Sequence, residues 1–502
     1  MGLEVRAGFQ LAQSRQQSVD VVVVGAGIGG LAAAAVLARS GRKVLVLESH
    51  DRPGGCMTSW VRKPRDRKRV ARRFVFDAGV QDISGLGPGR PLHQLLATIG
   101  EEDGLEWLPV HHRYVIDGVT IDMPRDWEAL SRLLGDLFAE EAVGIRAVLT
   151  EIRQAHDDIY AGMESARFRP VGQLQHAEQA QWISKFARVA QAASQPFAEL
   201  LQRHLRNPTL LSIFSILSEY VTEDAARLSL ADMAPLFGYY THGGFYPAGG
   251  AQRLPDLLSR SIRQNGGAVR LKTTASRFVL RDGQLAGVEL ATGEIVNAPV
   301  VISNAGILAS HGSLLGDHDL PPRYRQRLRQ MRRGPSAILI NFGLDRVPAI
   351  PTRVFVQESG LVFGLSNPSV VDPSLAPPGH AALTLLHLLR EEDSSEWFGL
   401  ESPAYENAKE TVARRLIAAA SRIVPDFERH IVHYEVAAPP TFQHYIRSSN
   451  GSIYGAARGQ WCPPVRSPVP GLFLAGAGTA TGPGVEAVVL SGLHAAHAIM
   501  DA

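Results

Sequence analysis

The apolar positions fall into short unbroken runs and longer helical ones. Stretches 20–24 and 43–48 are β-branched and leucine-rich, with no alternation of polar and apolar residues. A strand covered on both faces reads this way. Between them, Leu31 to Arg39 is rich in Ala and Leu, a strong helix former, and Gly41 stops it. Val300–Ser303 and the run from Gly471 repeat the buried-strand pattern. Phe278–Leu280, a turn at Arg281-Asp282-Gly283, and Ala286–Leu290 predict a hairpin. Residues 126–221 are mostly helical in pattern, and Val485–Met500 is helical throughout apart from Gly492. Asn207-Pro208 is a cap followed by proline at the first helical position. The segment after it is nearly all apolar, with serines every third residue. It is expected to be a buried core helix, the alternative being the wall of an apolar tunnel or a lipid-facing entry.

The first strand runs straight into Gly25-x-Gly27-x-x-Gly30, and Glu48 follows 18 residues after Gly30. Strand, glycine turn, helix, strand and acid together point to a dinucleotide site. The bare backbone meets a diphosphate at a helix N-terminus, and the acid takes ribose hydroxyls. Val21 to Ala38 is 18 residues without a charge, the lower limit of a membrane span. Its small-residue interior suits a tight turn instead. Two further glycine sites, Gly54-Gly55 and Gly476 to Gly484, favour FAD over a nicotinamide cofactor. The helix starting near Gly484 faces its N-terminus to where a reduced flavin carries negative charge.

These motifs, with FDAGV at 76–80, GGFYPAGGAQRLPDLL at 243–258, VISNAG at 301–306 and GLFLAGAGTATGPGVEAVVLSG at 471–492, resemble the phytoene desaturase and carotenoid isomerase family of FAD enzymes. That family lies within the amine-oxidase-like flavoproteins, and its carotenoid branch includes retinol saturases. The resemblance spans about residues 19–500. It implies an α/β fold with a discontinuous Rossmann-type FAD-binding domain (19–80, 243–306 and 467–502). An α+β substrate domain with a largely helical, possibly membrane-facing insertion would take 81–242 and 307–466. The implied FAD contacts are Gly25, Ala26, Gly27, Ile28, Gly29, Gly30, Glu48, Ser49, Arg52, Gly54, Gly55, Cys56, Met57, Ala275, Ser303, Asn304, Ala305, Gly476, Ala477, Gly484, Val485 and Glu486.

Catalysis of this kind needs little from side chains beyond positioning and dryness. Glu486, two residues after Gly484, is the expected acid or base, with a dipole-stabilised carboxylate as the alternative. His242, Tyr246 and His444 are further catalytic candidates in segments expected to line the cleft. Cys56 stands where many amine-oxidase-like flavoproteins carry Arg, and Ala477 where an acid often follows the glycine. Both weaken an amine oxidase reading. The expected substrate is a long apolar polyene or isoprenoid that is desaturated or isomerised. A retinoid or fatty-acyl lipid comes second; an amine oxidase or a non-catalytic prenyl-lipid carrier comes behind it.

Composition narrows the partners. A net charge of +2 excludes a dominant nucleic-acid field. Two cysteines make neither a disulfide framework nor a four-thiolate zinc site, which fits a reducing compartment. The pairs His430/His433 and His494/His497 have no evident third ligand, so no metal is expected. Residues 62–73 hold eight basic residues against one acid, and Arg323 to Arg333 adds six Arg. The expectation is a cytoplasmic protein held peripherally on anionic lipid.

Overall fold

The computed structural model describes residues 18–64, 72–220, 225–316 and 320–501. It is an α/β molecule. A five-stranded parallel sheet runs in the order Leu472–Leu474, Val300–Ser303, Val21–Val24, Val44–Leu47, Ala268–Arg270. Val21 pairs with Val300 and Val44, and Ile302 with Phe473. Three distant stretches of chain therefore supply neighbouring strands.

Two cores explain why these strands show no alternation. Val21, Val23, Val44 and Val46 share a core with helices Ile28–Arg39, Arg253–Gln264 and Val485–Met500. Val22, Val24, Leu45 and Leu47 face the other way, onto Phe278, Val288 and Val296 of a three-stranded antiparallel sheet. That sheet contains the hairpin Ala275–Arg281/Gln284–Leu290, turned by Asp282 (φ 52°) and Gly283 (φ 74°). A two-residue turn with both φ positive matches the right-handed twist of the strands.

The second sheet has seven strands in the order Ile431–Ala437, Ser336–Leu344, Ala381–Leu389, Leu361–Ser366, Arg353–Glu358, His112–Ile116, Val119–Asp122. Only the Arg353–Glu358/His112–Ile116 pair is parallel. On strand Ser336–Leu344, Ile338, Ile340, Phe342 and Leu344 pack with helix Ala404–Ile423. Ala337 and Leu339 turn to Phe442 of the short helix Pro439–Ile446.

Helices between Trp127 and Gly238 form a third core, which joins the sheet through Tyr114 and Phe355. Helix Pro208–Ser215 lies here, capped by Asn207, whose Oδ1 accepts from the Leu210 N–H at 3.1 Å. Leu210, Ile213 and Phe214 are buried in that core, and Ser212 accepts from Gln357 Nε2 at 3.0 Å. It is a core helix. Among the described residues no helix is long and apolar enough to cross a membrane. Of the basic stretch 62–73, residues 65–71 lie outside the described residues. Arg62 is paired with Glu435 at 2.8 Å.

Candidate functional site

Strand Val21–Val24 ends at Gly25 (φ 96°), and helix Ile28–Arg39 begins two residues beyond it. Glu48, at the end of the next strand, ties the turn down. Its Oε2 accepts from the Ala26 N–H at 2.7 Å and its Oε1 from the His50 N–H at 2.8 Å. The Ala26 carbonyl accepts from the Gly54 N–H at 2.8 Å, so the two glycine turns are joined. Asn304 follows strand Val300–Ser303 and donates from Nδ2 to the Ala475 carbonyl at 3.0 Å. A Cβ on Gly27 would sit 2.5 Å from Asn304 Oδ1. Asn304 therefore leaves no room for a side chain at Gly27, whose backbone lines the space beside it.

That space is a pair of adjoining cavities of about 1070 and 700 Å³. The larger is lined by Gly27, Ile28, Gly29, Gly54, Gly55, Cys56, Met57, Asn304, Ala305, Gly476, Ala477, Gly484, Val485 and His444 of the expected residues. The smaller is lined by Gly25, Gly27, Glu48, Ser49, Arg52, Gly55, Ala275, Asn304 and Ala305. The structure thus brings most of the expected contacts from three chain segments to one cleft.

Other candidates sit elsewhere. Ala26 is buried beneath the turn, and Gly30 is there for packing, since a Cβ on it would lie 2.5 Å from the Gly25 carbonyl. The Ser303 hydroxyl is buried against Ser310 at 2.7 Å. The Tyr246 hydroxyl donates to Asp77 Oδ2 at 2.5 Å, beside Ser59 and the Ala251 N–H on the other oxygen. This cluster joins strands Ser59–Arg62, Phe74–Asp77 and Gly244–Pro247 and lies outside both cavity linings.

Glu486 also lies outside both linings. Ser84 Oγ donates to its Oε2 at 2.5 Å, and Tyr160 and Arg90 stand nearby. Burial pushes this carboxyl above its ordinary range, against the opposing pull of Ser84, Tyr160 and Arg90. Arg90 stacks over the Tyr160 ring at 3.5 Å, and its Nη1 lies 3.4 Å from His156 Nε2. His242 stacks on His156 with ring centres 4.8 Å apart. Burial, reinforced by Arg90, holds both imidazoles below their usual range, His156 at about 4. His156, Asp157 and His242 bring three ligand-type atoms within 4.8 Å of one another. The Arg90 guanidinium occupies the same corner, which argues against a cation there.

The sequence reading expected His444 at the cleft but missed the rest of the wall that follows it. Helix Pro439–Ile446 and residues 447–456 line the larger cavity, contributing Arg447, Tyr454 and Gly455. The glycines flanking Tyr454, at 451 and 455, were the available signal. Arg332 and Arg333 line the same cavity, and Arg332 Nη2 is buried with no hydrogen-bond partner. Among the described residues, no Asp or Glu lines the larger cavity.

The residues present fit FAD. Bare glycine backbone at a helix N-terminus suits a diphosphate, Glu48 and Ser49 in the smaller cavity suit a ribose, and the larger cavity takes the ring system. Comparison with known proteins agrees. The family described as flavin containing amine oxidoreductase matches residues 28–500. The chain is 26% identical to the all-trans-retinol 13,14-reductase of Danio rerio, over 91% of this chain and 80% of that one. It is 27% identical to the chloroplastic prolycopene isomerase 1 of an Oncidium hybrid cultivar, over 96% and 84%. An oxidoreductase structure from Methanosarcina mazei superposes with a TM-score of 0.65 at 18% identity, covering 96% of this chain and all of that one.

Proposed function

The chain belongs to the flavin containing amine oxidoreductase family, and from that membership we propose that it is an FAD-dependent oxidoreductase of a long apolar polyene, a carotenoid desaturase or cis–trans isomerase. One observation carries the substrate class. Among the described residues, the larger cavity has three arginines on its wall and no carboxylate. An amine substrate arrives as a cation, and nothing there compensates its desolvation. A neutral polyene needs only burial, worth about 0.8 kcal/mol per methylene. Ile307, Leu308, Met331, Phe398 and Ile453 supply apolar wall for it.

Bound FAD supplies hydride exchange at its ring. The work left to the chain is to hold both partners and keep water out. Gly27 and Gly55 offer backbone to the cofactor, Glu48 fixes the adenosine end, and Gly484 and Val485 close the ring end. His444 is the one expected catalytic side chain on the cavity wall and is the candidate for any proton transfer there. A retinoid saturase is the second reading, favoured by the retinol reductase relative. An apolar substrate of this size is drawn from a bilayer, so we also propose peripheral membrane contact. Phe398 and Tyr445, 37% and 57% exposed on the linings of the two cavities, fit that approach.

The test is a spectrum. The chain is expected to purify yellow and to shift the polyene band, or change its cis peak, when given carotenoid in liposomes with oxidised or reduced flavin. Flat polyene spectra in both flavin states, together with rapid flavin bleaching by a small amine, overturn the proposal.

A further inference from the structure

We propose that Arg447, carried on the sheet-and-helix layer opposite the glycine turns, is the residue that neutralises the diphosphate bridge of the bound dinucleotide. The inference rests on the FAD reading and asks which side chain carries the charge.

The two cavities meet along a neck whose lining is common to both. Gly27, Gly55, Asn304, Ala305 and Arg447 are among the shared residues, and Arg447 is the one charged residue in that set among the described residues. Glu48, Ser49 and Ala275 line only the smaller cavity; Gly484 and Val485 line only the larger. A molecule with its adenosine in one and its ring system in the other must pass its two phosphates through the neck. There it meets glycine backbone and the N-terminus of helix Ile28–Arg39. A helix N-terminus supplies about half a positive charge, so a diphosphate there keeps net negative charge that a nearby cation would offset. The position after Gly54-Gly55, where the resemblance would put an arginine, is Cys56. Burial pushes its thiol up to about 11, so it brings no charge of either sign. Arg52 of the same segment lines only the smaller cavity and is engaged by Asp51 and the Ser59 carbonyl, so a cation at the neck comes from another segment.

Arg447 is placed to supply it. It ends helix Pro439–Ile446, which is seated on the seven-stranded sheet through Phe442. Its Nη2 reaches across to Thr274 Oγ1 at 3.5 Å, on the wall of the smaller cavity. Among the described residues no carboxylate pairs with it. Its backbone is left-handed, φ 51° and ψ 29°. Glycine takes that conformation at lower cost than any side-chain-bearing residue. An arginine held there keeps a cation at the neck, and Arg447→Gly removes the side chain without opposing the backbone.

The experiment is an FAD titration of the deflavinated full-length chain, followed by flavin fluorescence, with thermal melts as the folding control. Arg447→Gly is expected to weaken FAD binding about 10- to 100-fold, the loss of a charge-assisted contact. Arg447→Lys should recover part of it, and raising ionic strength should weaken the wild type more than Arg447→Gly. Binding of riboflavin, which has no phosphate, should not change. If the wild type binds no flavin, the FAD reading itself fails. If the wild type binds FAD and Arg447→Gly binds it equally well, or loses riboflavin to the same degree, the assignment of Arg447 is wrong. Should Arg447→Gly melt early, Arg447→Gln decides: a folded glutamine variant with weaker and less salt-dependent FAD binding supports the assignment, and one with wild-type affinity and salt response overturns it.

Discussion

A carboxyl group sealed from water beside Ser84 and Tyr160 has an unusual pH dependence, and Glu486 is such a group. Burial raises its folded-state pKa above the ordinary 4.5. The folded chain then holds the proton more tightly than the unfolded one. This group's contribution to stability is full below pH 4.5 and declines as pH rises from there towards the folded value. Glu486→Gln removes the titration. Its melting temperature relative to wild type should therefore climb with pH above 4.5, and its flavin content should stay at the wild-type level. A difference in melting temperature that does not vary with pH would mean that the carboxyl titrates alike in the folded and unfolded chain, and a colourless variant would mean that the side chain is needed at the cofactor. The reason Glu486 misses the cavity is helical phase. Val485 and Val488 share the face that lines it, and each residue turns by about 100°, which swings Glu486 towards Ser84. That phase was available in the sequence once Gly484 was taken as the cap; proximity in number to Gly484 was not enough.

At the level of elements, helices Ile28–Arg39 and Val485–Met500 touch through small residues. A Cβ on Gly492 would lie 2.5 Å from the Gly29 carbonyl and 2.8 Å from Ala32 Cβ. Gly492→Val should force the helices apart, lowering stability by about 1–3 kcal/mol in urea unfolding. It should also loosen the flavin, since the start of the second helix lines the larger cavity. Unchanged stability would show that the pair tolerates wider spacing. The parallel strands were legible because burial on both faces writes itself as an unbroken apolar run. Of segment 439–456 only His444 was expected at the cleft; the rest was not legible, because its position depends on Phe442 docking against Ala337 and Leu339 of a distant strand. Helix 208–215 was legible in its start and its buried character, since both are local properties.

Across the whole molecule, the cleft is walled by the parallel sheet on one side and by the segment 439–456 on the other. A ligand gripped by both walls stabilises the folded state by mass action, about 2.7 kcal/mol at a concentration a hundred times its Kd. Adding FAD to the deflavinated chain should raise the melting temperature in proportion to the logarithm of its concentration. An apo and a holo chain that melt at the same temperature in excess FAD would contradict the shared grip. The +2 net charge excluded a nucleic-acid role in the sequence reading, but gave no hint that arginines alone would carry the charge of the larger cavity wall.

The order of strands in the parallel sheet has a consequence for how the chain is made. Val21–Val24 sits between Val300–Ser303 and Val44–Leu47, and Val300–Ser303 pairs in turn with Leu472–Leu474. At about 5–20 residues per second, a ribosome takes roughly 20–90 s to travel from the first of these strands to the last. The valine run waits with one edge open until Val300–Ser303 is made, and with the face that takes helix Val485–Met500 uncovered until the end of that interval, the condition in which nascent chains aggregate. The cofactor cradle is thus among the last parts to close, and its earliest strand is the one most in need of a chaperone.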